Sequence, residues 1–143
     1  MFGDIETAIV EQLKSKLDRS TYVLTSRELS EIDEERQPTP AVHVIYNGYR
    51  VIESRADGSA ARIEQNWLAV IAVRNQRQPG SGSAARTDAV NLLTPTANAL
   101  MGFKPDVASK PLRLTNAPAA GNARGFMYVP LAFSVETILK QTN

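Results

Sequence analysis

The chain has no cysteine, only one histidine, no long apolar run and a formal net charge of only +1. Each shortage excludes something. Without thiols there is no disulfide framework and no thiolate metal site, which fits a reducing compartment. With one histidine, any Ser-His-Asp or Cys-His chemistry would have to pass through His43. That residue sits between Val42 and Val44 in a β-prone segment with no nucleophile near it, so it reads as a structural or surface-strand residue. No stretch approaches the roughly 20 apolar residues that cross a bilayer. The start, Met1-Phe2-Gly3-Asp4, lacks the basic and apolar blocks of a signal peptide. The chain is therefore expected to be made and used in the cytoplasm, with no membrane partner. A near-neutral balance names no nucleic-acid partner either.

Glycine is present but in no phosphate-binding pattern. Gly80-Ser81-Gly82-Ser83 and Gly121-Asn122-Ala123-Arg124-Gly125 lack the Lys-Ser/Thr of a P-loop. Both read as flexible loops, with Ala117 to Gly125 as a mobile arm. The acids Glu28, Glu31, Asp33, Glu34 and Glu35 lack the alternating ligands and central glycine of a calcium loop, so they read as a solvated acidic face. The expectation is no catalytic residue, no metal, no cofactor and no enzymatic activity.

What is present suits one soluble domain spanning residues 1–143, since 43% of the residues are hydrophobic and can build a core. Ile5, Ile9, Leu13 and Leu17 recur every four residues and predict a helix over 4–18, with Asp4 as its N-cap. Residues 21–25 predict a short strand. After Pro38 and Pro40, the β-formers of 41–46 and 49–53 flank Asn47-Gly48, which predicts a type I′ hairpin. A second turn is expected at Asp57-Gly58, followed by a long strand over 62–74. From Trp67 to Val73 both faces of that strand are apolar, which places it in mid-sheet with a second cover, possible from another subunit.

The run 75–83 predicts a polar, flexible loop, and Ser83 caps a second helix over 84–101 that Pro95 should kink or divide. Gly102 is its stop. Leu112-Arg113-Leu114 suggests a short strand. The last element, 127–139, alternates cleanly, and Pro130 favours an edge. The fold class is α+β: an antiparallel β-sheet, a three-stranded meander plus a C-terminal strand, packed by two α-helices.

Charge is distributed unevenly. Arg74, Arg77 and Arg86 fall in an acid-free run from 65 to 87, and Lys110, Arg113 and Arg124 in another from 107 to 135. This fits plain surface scatter. It also fits head-to-tail contact between identical subunits, in which acidic and basic patches meet. On that second reading Glu31, Glu34, Glu35, Arg74, Arg77, Arg113 and Arg124 are the candidate subunit or partner contacts.

Several pieces in order resemble one family. They are the helix from Ile5-Glu6-Thr7-Ala8-Ile9-Val10, Pro40-Ala41-Val42-His43-Val44, and Gln65-Asn66-Trp67-Leu68-Ala69-Val70 leading to Val73-Arg74-Asn75. Ala99-Leu100-Met101-Gly102 and Tyr128-Val129-Pro130-Leu131-Ala132-Phe133 complete the series. The layout, which covers most of the chain, resembles the tail-terminator (tail-completion) proteins of contractile-tailed, Mu-like phages. The resemblance implies a ring, usually sixfold, that caps the tail tube, ends polymerisation and offers a head-tail joining surface at the neck of the virion. It implies as partners the tail tube protein, a head-tail connector and the tail sheath, with genome DNA passing through the lumen and assembly in the host cytoplasm. Alternatives are another connector or tube component, a small ligand-binding domain or enzyme, and a nucleic-acid module. No convergent polar constellation favours the enzyme, and no aromatics interleave the arginines to favour the nucleic-acid module.

Overall fold

The computed structural model describes residues 2–75 and 82–142, with side chains described from Ala85 onward in the second stretch. Most of the loop expected over 75–83, the Ser83 cap and Arg77 lie outside the described residues.

Helix α1 runs Phe2–Lys16, and its apolar stripe buries Ile5, Ile9 and Leu13. It begins two residues before the expected start, so Asp4 lies in the first turn, where its charge complements the helix dipole, and is not the cap. Strand β1, Tyr22–Thr25, leads directly into α2, Ser26–Ser30. A capping box starts α2: the Thr25 backbone N–H donates to Glu28 Oε1 at 3.1 Å, and the Thr25 hydroxyl accepts from the Glu28 backbone N–H at 3.5 Å. A 3-10 turn follows at Glu34–Arg36.

Strand β2 is continuous over Ala41–Ser54, and β3 covers Ala60–Arg74. The predicted hairpin at Asn47-Gly48 is therefore corrected. Tyr46 pairs with Trp67 and Tyr49 with Gln65, so β2 holds one extra residue there. Gly48 takes φ +88°, and the pair forms a bulge inside one strand instead of a turn between two. The real β2–β3 turn is at Asp57-Gly58, as expected. Asp57 caps it by accepting from the Ser59 N–H at 3.0 Å, and Gly58 supplies φ +77°.

Helix α3, Gly82–Leu100, is undivided by Pro95. Pro95 lies on the exposed side, where the carbonyl it leaves without a helical donor can be hydrated, while Ala85, Ala89, Leu92, Thr96 and Ala99 face the core. Gly102, at φ +78°, ends the helix and its N–H donates to Leu112 O at 3.0 Å.

Strand β4 is Arg113–Thr115, β5 is Gly121–Ala123 and β6 is Phe126–Lys140. The supposed mobile arm thus contains a strand. Ala123 pairs with Phe126 across Arg124 and Gly125, at φ 49° and 85°, the positive pair that a type I′ turn demands.

The sheet order is β1-β2-β3-β6-β4, with β5 also on β6. The fold class is α+β as read, but the meander is corrected: β1 pairs with β2 in parallel, and β2, β3 and β6 form the antiparallel centre. Long strand β3 is central, as its two apolar faces required. Strand β6 lies between β3 and the two short strands, so Pro130 is not on an outermost strand. It falls at the gap between the β5 and β4 pairings, where no partner asks for its missing donor.

Helices α1 and α3 cover one face, packing on Val42, Val44, Trp67, Ala69, Ile71, Phe133 and Val135. Gln65, wholly buried there, accepts from Trp67 Nε1 at 2.9 Å and donates to Thr137 Oγ1 at 3.0 Å, so the indole donor and the amide are satisfied together. No helix among the described residues is long and apolar enough to cross a membrane.

Candidate assembly surfaces

The second face of the sheet is covered at one end only, by the chain's own segment 26–37. Leu29 packs there on Leu24, Ala41, Ala72 and Tyr128. Gln37 Nε2 donates to the Tyr128 hydroxyl at 2.8 Å, and that hydroxyl donates to Glu34 Oε2. Burial, then the bond to the Glu34 carboxylate, pushes the Tyr128 phenol up to about 12. Beneath lies a pocket of about 200 Å³ lined by Leu29, Ile32, Glu34, Gln37, His43 and Tyr128. Burial there lowers His43 to about 4, since desolvation disfavours the imidazolium. Neither His43 Nε2 nor Gln37 Oε1 has a partner among the described residues. No group of three His, Cys, Asp or Glu that could hold a metal occurs among them.

The candidate contact residues separate in space. Glu34 and Arg124 meet within one chain at 3.5 Å, and Arg74 donates to the Glu35 carbonyl at 3.5 Å while its guanidinium lies 4.8 Å over the Phe126 ring. Part of the acidic segment is thus held down by the chain's own basic residues. Glu31 is exposed and, among the described residues, pairs with Arg27 at 4.0 Å, an exposed pair of about 0–1 kcal/mol. Arg113 lies at the opposite end of the face.

There it joins an ionic cluster that the sequence does not announce. Glu64 and Glu136 stand directly opposite each other on β3 and β6. Two like charges so placed repel. Each is answered by two cations: Glu64 by Arg50 at 3.5 Å and Arg113 at 3.1 Å, Glu136 by Arg62 at 3.4 Å and Lys110 at 3.0 Å. Both carboxylates are largely covered while Arg50, Lys110 and Arg113 stay exposed; Arg62 is half-buried and also meets the exposed Glu53 at 3.4 Å. The signal for this cluster is strand register, which no linear spacing carries.

An open groove of about 850 Å³ lies between the α1 end, α3 and the β3 end, with Lys16, Asp18, Asp88 and Asn91 in its wall. Its wall is half polar and holds no histidine among the described residues.

Residues 4–143 match the family model described as phage tail terminator protein, nearly the whole chain, and the chain belongs to that family. That makes it a structural component of a phage tail. The family is structural, not enzymatic. No curated protein matches the chain.

Proposed function

We propose that this protein assembles into a closed ring, a hexamer, that caps the tail tube of a contractile, Mu-like particle, stops its polymerisation and presents the joining surface for the head-side connector at the neck. The tube protein is its partner on one side and the connector on the other, with the sheath near its rim and genome DNA passing through its lumen without sequence readout. The observation that carries this reading is the family match over residues 4–143, nearly the whole chain.

Charge orients the contacts in this reading. Glu31 and Arg113 are the contact residues that face a neighbour or a tail partner, and Arg77 remains a contact candidate from its sequence alone. Glu34, Glu35, Arg74 and Arg124 contribute by fixing the acidic segment. Exposed pairs add only about 0–1 kcal/mol each, so they steer association while apolar and backbone contacts hold it. Negative-stain images of the purified protein, alone and mixed with tail tubes, test the reading. Rings with a central hole that cap tube ends are expected. Protein that stays monomeric and leaves tubes growing contradicts it.

A further inference from the structure

We propose that copies of this chain join edge to edge into one continuous sheet, with β4 of one copy pairing antiparallel to β2 of the next so that Leu114 lies beside Tyr46; this rests on the ring reading above. Four observations converge on that pair.

The first is height. Tyr46 pairs with Trp67, Trp67 with Phe133 and Phe133 with Leu114, so one row crosses the sheet from free edge to free edge. A ring, unlike a helical filament, permits no displacement along its axis. In the proposed pairing the strands run close to that axis, so that the row of one copy meets the same row of the next.

The second is hydrogen-bond phase. Asn75 donates to Gly125 O and Gln141 to Ser59 O, while Glu136 O accepts from Ser109 on the other side. Odd-numbered residues of β6 therefore turn their backbone groups toward β3, and even-numbered ones toward β4. It follows that Arg113 and Thr115 bond to β6 and Leu114 points its N–H and C=O outward. The same alternation carried through β3 directs Ile45 to β3 and Tyr46 outward. Both edge residues offer unpaired donor and acceptor, which an antiparallel hydrogen-bonded pair needs.

The third is direction. Strands β2 and β6 each run antiparallel to β3, and β4 runs antiparallel to β6, so β4 is antiparallel to β2. A copy rotated about the ring axis keeps that relation.

The fourth is the length and chemistry of the window. Strand β1 occupies β2 only over Ala41–Val44, and the bulge at Gly48 breaks the ladder three residues further on. That leaves Ile45, Tyr46 and Asn47 for the three residues of β4. On the helix-bearing face Tyr46 is 41% and Leu114 46% exposed, unusual for large apolar side chains in a sheet row. Phe2 and Tyr49 extend the Tyr46 patch, with the Phe2 ring 5.4 Å from Tyr46 and 6.1 Å from Tyr49. Leu114 from the next copy would cover it.

The test uses the full chain, which has no cysteine of its own. Tyr46 and Leu114 of one chain are three strand spacings apart, roughly 14 Å, too far for a disulfide. A Tyr46→Cys/Leu114→Cys variant, oxidised after assembly, should give a ladder of covalent species ending at the ring mass on non-reducing gels, and each single variant dimers at most. The Ile45→Cys/Thr115→Cys pair, on the other face, repeats the test with Tyr46 in place. Leu114→Asp, which alters only an exposed side chain, should leave the melting temperature unchanged and raise the concentration for half-assembly at least about tenfold. Rings that form with no ladder from either pair, or an unchanged midpoint for Leu114→Asp, overturn the edge pairing and leave the ring intact. Wild-type protein that forms no ring even beside tail tubes overturns both.

Discussion

At the scale of single residues, burial decides what each side chain contributes. Ile71 is fully buried on β3 beneath the helices. Ile71→Asp would place an unpaired carboxylate in that core and should cost several kcal/mol, enough to unfold a marginal domain. Thermal unfolding followed by circular dichroism should show loss of the native transition; an unchanged melting temperature would place Ile71 outside the core. His43 gives a pH dependence. Unfolded, it titrates near 6.5; burial lowers it to about 4 in the fold. Between those values the unfolded chain binds more protons, so the stability is fully present above about 6.5 and is lost as pH falls through 4. The loss is on the order of 3 kcal/mol, at about 1.4 kcal/mol per unit. Chemical denaturation from pH 7 to 4 should show it, and His43→Leu should flatten it; equal slopes would mean that water reaches the ring. Asp18 and Asp57 are held below the ordinary carboxylate range by hydrogen bonds from Ser20 and Ser59, so their contribution is lost at still lower pH. The structural reading of His43 was legible in its flanks, Val42 and Val44. The pocket around it was not, because Leu29 and Tyr128, which help line it, come from other elements.

At the scale of elements, long periodic patterns were legible, while short turn signals divided: Asp57-Gly58 is a turn as read and Asn47-Gly48 is not. The stripe of α1 and the double apolar face of β3 were plain in the sequence because each is repeated over many residues. Asn47-Gly48 misled for a physical reason. A type I′ turn there would divide β2, whereas the continuous strand pairs with β3 from Ala41 to Ser54 and accommodates the dipeptide as a bulge. The local preference for φ > 0 at Gly48 was real; the long ladder decided which device used it. Conversely, Arg124-Gly125 forms the type I′ turn although arginine is an uncommon occupant of positive φ. Gly125→Val should cost about 1–2 kcal/mol by forcing a β-branched residue to φ 85°, although no neighbour crowds its Cβ. Denaturant titration should show a lower midpoint at the same slope; no change would mean that the β5–β6 turn relaxes freely. The short strand expected over 21–25 is β1, but its parallel pairing with β2 and the capped α2 went unread, because four residues carry no sign of their partner and the Thr25–Glu28 box lies in an acidic run.

For the whole molecule, the layout explains how so few features point to chemistry. One sheet face is spent on the helices. The other is closed by the acidic segment at one end and carries the four-cation cluster at the other. The uneven charge visible in the sequence is thus partly answered within the chain, where Arg124 meets Glu34 at the acidic end, while Arg113 and Lys110 stand at the other. Glu31→Lys tests the remaining part, since Glu31, unlike Glu34, does not pin the segment to the sheet. It should leave circular dichroism unchanged and slow assembly at low salt severalfold, with the difference vanishing at high salt as exposed charges are screened. Light-scattering time courses would show this, and equal rates at low salt would remove Glu31 from the contact.

The central claim is that this tail terminator acts as a ring. Mass measurement by multi-angle light scattering, over a range of concentrations and with tail tubes added, tests it most directly. The account predicts a single closed species of six chains that gains no further mass as concentration rises. A monomer at every concentration, or an open series growing without limit, would contradict it.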